Sequence, residues 1–145
     1  MDQSDEELDR CEVIKQLLDA RDYQAAEQFA CSVSAGWERG ESLGEVARAL
    51  VAAGELDQAR RVREEAIKTA REGEINGDVQ DSLDSSSVLW EIAEDLALIG
   101  ELEGANEVAD AIKNNWKRER ALQGLKGIEG GGKGSWYKMH NNESL

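Results

Sequence analysis

At 145 residues and 16.0 kDa the chain has the length of one domain, enough to bury a core without disulfide or metal support. Its 31 acidic against 17 basic residues leave a formal charge of −14, which repels phosphate backbones and excludes direct nucleic-acid binding as the first expectation. Proline is absent, so no helix interior carries the residue that costs roughly 3 kcal/mol there, and the expected class is all-α.

In chain order, the opening "MDQSDEELDR" has neither the basic start nor the apolar stretch of a secretory signal, and no run approaches the roughly 18 to 20 apolar residues of a membrane span. A cytoplasmic protein without membrane contact is expected, and in that reducing setting Cys11 and Cys31 read as free thiols. A first helical hairpin, about residues 8–39, carries Val13, Leu17, Tyr23 and Ala26 on its apolar stripe. A second, about 41–72, carries Leu43, Val46, Ala47, Leu50, Gly54, Leu56 and Ala59. A third, about 88–118, repeats that pattern as Leu89, Ile92, Ala93, Leu96, Gly100, Leu102 and Ala105. Spacings of three and four place each set on one helical face, and Gly54 and Gly100 fall where a helix end needs positive φ. Between the second and third hairpins lies an insertion, 73–87, expected to be a polar loop with at most one short helical turn, Ser85 to Ser87 capping a helix that begins near Val88. A partial fourth unit, 119–126, begins with Ala121, Leu122 and Leu125. Glycine-rich 127–145 is expected to be a flexible tail.

The hairpin pattern resembles the tetratricopeptide repeat (TPR), a helix-turn-helix unit of about 34 residues. The departures are Arg10 and Arg21 at positions preferring an apolar residue and glycine, Arg63 at an aromatic position, and the missing late proline. The resemblance implies antiparallel helical hairpins stacked as a short right-handed TPR-like solenoid, whose concave groove is lined by the first helix of each unit and holds a peptide or partner helix. Carried over by position, the groove residues are Glu12, Lys15 and Asp19, then Glu45, Arg48 and Ala52, then Trp90, Glu91 and Glu94, and Gln123 from the partial fourth unit. Trp90 is either the rim of the core or an exposed aromatic anchor.

"WERGESL" from Trp37 recurs as "WKRERAL" from Trp116, 79 residues later. Each tryptophan is expected at the end of a second helix, covering the seam to the next unit, with Arg39 and Arg118 meeting carbonyls at a helix C-terminus. At the middle junction the matching position is Ala70.

Catalytic chemistry finds little support. "GIEGGGK" from Gly127 has phosphate-loop spacing, but Gly134 stands where a hydroxyl is needed and no strand precedes it. His140 is the single histidine, leaving no histidine-based metal set or triad, and Asp78, Asp81 and Asp84 lack the spacing of a calcium loop. No enzyme, metal or cofactor is expected. The leading expectation is an interaction adaptor whose groove binds a basic, partly apolar protein segment. The alternative is an acidic decoy that imitates nucleic acid and blocks a nucleic-acid-binding protein. A homo-oligomer would follow if the unfinished fourth unit exposed an apolar end to a second copy.

Overall fold

A computed structural model describes residues 9–33 and 36–129, and among these every regular element is helical. The helices are α1 (Arg10–Asp19), α2 (Tyr23–Ser32), α3 (Gly36–Ala52), α4 (Leu56–Asn76), α5 (Val79–Leu98), α6 (Leu102–Asp110) and α7 (Asn115–Glu129). None of the described helices is long and apolar enough to cross a membrane.

Three of the links are one turn used three times. Arg21, Gly54 and Gly100 have φ of 60°, 83° and 88°, and the next amide in each case (Asp22, Glu55, Glu101) donates 2.9 Å back to the carbonyl of Leu17, Leu50 or Leu96. That closes the last helical turn and reverses the chain, so α1 and α2, α3 and α4, and α5 and α6 form antiparallel hairpins. Glycine suits this conformation. Arg21 adopts it against a steric preference of about 1–2 kcal/mol, while Asp22 beside it caps α2 by accepting from Ala25 N at 3.2 Å.

The hairpins pack in sequence, first helices side by side: α1 against α3, α3 against α5, α5 against α7. Each second helix also touches the following first helix, which closes a continuous core around Ile14, Leu43, Leu50, Leu89, Ile112 and Leu125. Small residues permit the close approach, as at Ala59 and Ala105, which are fully buried.

The echoed tryptophans are placed differently from the sequence expectation. Trp37 and Trp116 are each the second residue of a first helix, α3 or α7, because those helices begin at Gly36 and Asn115 rather than several residues later. Counted back from the turn glycine, the matching residue of the third unit is Leu83, not Ala70. Trp37 packs partly buried against the core, whereas Trp116 is 53% exposed, its ring edge-on to Trp90 at 6.1 Å. A guanidinium lies over each ring, Arg10 over Trp37 at 5.4 Å and Arg120 over Trp116 at 5.0 Å. The arginines of the echo act as expected: Arg39 Nε donates to Val33 O at 2.6 Å and Arg118 Nη1 to Ile112 O at 3.0 Å, each bonding a carbonyl six residues back, just past the preceding helix. One joint design therefore accounts for the repeated words.

The insertion is helical, not a loop. It lengthens α4 to Asn76 and starts α5 at Val79, with Asp78 as N-cap accepting from Asp81 N at 2.8 Å. Ser85 and Ser86 are consequently buried inside α5 rather than capping it. Their small size serves a close crossing: a Cβ on Gly73 would meet Ser85 Oγ at 2.1 Å, and a Cβ on Gly36 would meet Gly73 Cα at 3.3 Å. Buried Glu74 ties the crossing together, accepting from Ser86 Oγ at 2.5 Å and from Lys113 N at 2.9 Å. The fourth unit is also longer than expected. Its helix runs through the glycines to Glu129 because Ile128 is buried against the core; the rest of the expected tail, 130–145, lies outside the described residues.

Candidate interaction face

The stepwise packing sets the outward sides of α1, α3, α5 and α7 next to one another. On α1, Glu12, Lys15 and Asp19 are exposed, as is Gln123 on α7. Between them stand Glu45 and Arg48 of α3 and Glu91 of α5, joined by residues that the groove assignment omitted: Arg10, Cys11, Glu41 and Asp95. Their signal was present in the sequence, since Glu41 precedes Glu45 by one helical turn and Asp95 follows Glu91 by one.

The two arginines of this face are engaged across helix seams. Arg48 reaches from α3 to α5, where Nη2 pairs with Glu91 Oε1 and lies 2.8 Å from Asp95 Oδ2, with Nε at 3.1 Å from the same oxygen. Arg10 reaches from α1 to α3, with Nη1 2.9 Å from Glu41 Oε1 and 3.1 Å from Ser42 Oγ, and Nε 3.7 Å from Glu38 Oε2. This explains the departure at position 10: a cation there clamps two first helices where an apolar residue would only fill the stripe. Lys117 repeats the device from α7 to α5, donating to Leu83 O at 3.0 Å and to Ser87 Oγ.

Carboxylates therefore dominate what the face presents. Burial, opposed by Arg48 and reinforced by Asp95, pushes the Glu91 carboxyl up to about 7. Burial and repulsion from Glu41 raise Glu45 as well, and burial together with the Glu45 charge raises the Cys11 thiol. Burial works against the Arg48 charge, but attraction to Asp95 and Glu91 outweighs it and holds the guanidinium above its ordinary range. Cys11 Sγ and one oxygen each of Glu41 and Glu45 lie within 4.8 Å of one another, the spacing of a metal-ligand set, and Arg10 already supplies a counter-charge to Glu41. A thiol raised in this way stays protonated at neutral pH and is a poor nucleophile.

Two assigned groove residues are not displayed. Trp90 is 2% exposed and its Nε1 donates to Glu94 Oε2 at 2.8 Å; Glu94 is likewise 2% exposed. Of the two readings of Trp90, core or exposed anchor, the ring belongs to the core, because the edge-on Trp116 covers it from α7. Glu94 is a buried partner of the indole rather than a groove charge.

No known protein family, curated protein or solved structure matches the chain.

Proposed function

We propose that the chain is a non-enzymatic interaction adaptor, a TPR-like right-handed solenoid whose first helices line a concave groove for a basic segment of another protein. The observation that carries this reading is the charge balance of the first-helix face: six carboxylates, Glu12, Asp19, Glu41, Glu45, Glu91 and Asp95, stand against three cations, Arg10, Lys15 and Arg48, and the two arginines are held in ties to Glu41, Glu91 and Asp95 between helices. Such a face steers cations, and its half-buried carboxylates gain most when an ammonium or guanidinium replaces water beside them. With Trp90 in the core, charge sets recognition and the partner's apolar groups play the smaller part. A cytoplasmic setting fits two free thiols.

The test is fluorescence anisotropy with a labelled Lys/Leu amphipathic peptide. Glu12→Lys combined with Glu45→Gln should weaken binding about tenfold at low salt, or about 1.4 kcal/mol, and by less as salt screens the face. Glu64→Lys with Glu65→Lys, on the exposed side of second helix α4, should leave binding nearly unchanged. The reverse pattern would place the active charge on the second helices and favour the acidic decoy.

A further inference from the structure

The two most exposed large apolar side chains among the described residues stand together. Ile75, in the last turn of α4, is 71% exposed, and Val79, the first residue of α5, is 79% exposed. Single exposed aliphatics are ordinary on a protein surface, but these two line one cavity of about 350 Å³ with Leu83. Ile75 also lines a second cavity of about 470 Å³, and Glu74 and Lys113 are shared between the two. They form one groove along the end of α4 and the α6–α7 link, and it shares no residue with the first-helix face.

Cations mark the far half of this groove. No Lys or Arg occurs between Arg71 and Lys113 in the sequence, yet the fold brings these two to the second cavity, beside Arg118. Arg71 and Lys113 are exposed, and among the described residues neither has a carboxylate within ion-pair distance. Arg118 donates to two neutral oxygens, Ile112 O and Asn115 Oδ1, so its charge is not cancelled. Of the carboxylates in that half, Glu74 is buried, its Oε2 accepting from Ser86 Oγ and Lys113 N, and Asp110 alone is exposed. Asp78, in the apolar half, is committed as the N-cap of α5. At physiological ionic strength the Debye length is about 8 Å, so a docked segment responds to these cations rather than to the charge of the whole chain.

We propose that this groove docks a segment of another protein that carries aliphatic and carboxylate side chains together, the aliphatic groups packing on Ile75 and Val79 and the carboxylates facing Arg71 and Lys113. Burial of the two exposed aliphatics supplies most of the affinity, while ion pairs at exposed residues add less and fix the orientation of the segment. The groove prefers the opposite charge from the first-helix face, so this second site does not depend on the adaptor reading. With both sites in use the chain holds two partners of opposite charge at once.

The experiment uses the full chain and a labelled Glu/Leu amphipathic peptide, followed by fluorescence anisotropy at about 0.15 M salt. Ile75→Ser with Val79→Ser should weaken binding about tenfold or more, and Arg71→Gln with Lys113→Gln about threefold or more, the second loss shrinking as salt is raised. All four side chains are exposed, so circular dichroism of both variants should match the parent. Arg21→Gln with Arg61→Gln, exposed cations outside the groove, should leave binding unchanged. No binding of the Glu/Leu peptide by the parent, binding that survives both groove variants, or an equal loss in the Arg21/Arg61 variant would each overturn the proposal. A parent that dimerises, and loses the dimer with Ile75→Ser and Val79→Ser, would also overturn it, since a second copy would then cover the groove. The Lys/Leu peptide should bind the groove variants as it binds the parent. Failure of that peptide alone sinks the adaptor reading and leaves this site standing.

Discussion

Glu91→Gln isolates the cost of keeping a carboxylate in the α3–α5 seam. In the folded chain Glu91 loses its proton at about 7, against an ordinary carboxyl value of 4.5, because burial outweighs the attraction of Arg48, which Asp95 shares. In the unfolded chain the proton leaves near the ordinary value. The folded state thus holds a proton that the unfolded state has lost, and stability contributed by this group is complete below about 4.5 and declines as pH rises through about 7. At about 1.4 kcal/mol per pH unit the difference is about 3.5 kcal/mol, and relaxation around half-exposed Arg48 brings the expectation to about 2–3 kcal/mol. Glutamine keeps the acceptor oxygen for Arg48 and does not titrate. Urea unfolding of parent and variant at pH 5, 6, 7 and 8 should give similar midpoints at pH 5 and an increasingly higher midpoint for the variant above pH 6. With a slope of about 1–3 kcal/mol/M, the gap at pH 8 should be about 1 M or more. A gap that does not change with pH, or a variant that loses stability at pH 8, would mean that the Arg48 pair outweighs desolvation and would refute the reasoning.

Arg21→Gly should stabilise the chain by about 1 kcal/mol, since it relieves a positive φ in the turn that Gly54 and Gly100 occupy without strain; a lower urea midpoint would contradict it. Gly73→Ala should cost about 1–3 kcal/mol despite the better helix propensity of alanine, because the new methyl meets Ser85 Oγ, and Ser85→Ala should restore part of the loss in a thermal melt. Trp116→Ala should cost less than Trp37→Ala, about 1–2 against about 2–4 kcal/mol by denaturant midpoint, because Trp116 is half exposed while Trp37 packs on the core.

The hairpins were legible in the sequence because three- and four-residue spacing, and a glycine at two of the three hairpin turns, report backbone geometry directly: Leu43 to Leu50 and Leu89 to Leu96 line the core, and Gly54 and Gly100 have the positive φ their positions called for. The insertion was not legible, since its Gly, Asn, Asp and Ser residues favour turns locally. Burial of Ser85 against Gly73 and of Ser86 on Glu74 is a tertiary effect that overrides that preference. Of the proposed face, Glu12, Lys15, Asp19 and Gln123 are exposed. Trp90, for which the sequence left core rim and exposed anchor open, is core, and Glu94 is buried with it, because a four-residue spacing that marks two exposed neighbours also allows a buried indole to bond a carboxylate one turn on. Arg10 and Arg48 were legible as charges, but their role as ties between helices depends on which first helices lie side by side.

Amide chemical-shift mapping of the full chain during titration with the Lys/Leu peptide tests the adaptor claim most directly. The account predicts that shifts grow on α1, α3 and α5 around Glu12, Glu45 and Glu91, and that added salt reverses them. Shifts that follow α2, α4 and α6 instead, or a spectrum unchanged by the peptide at low salt, would contradict it.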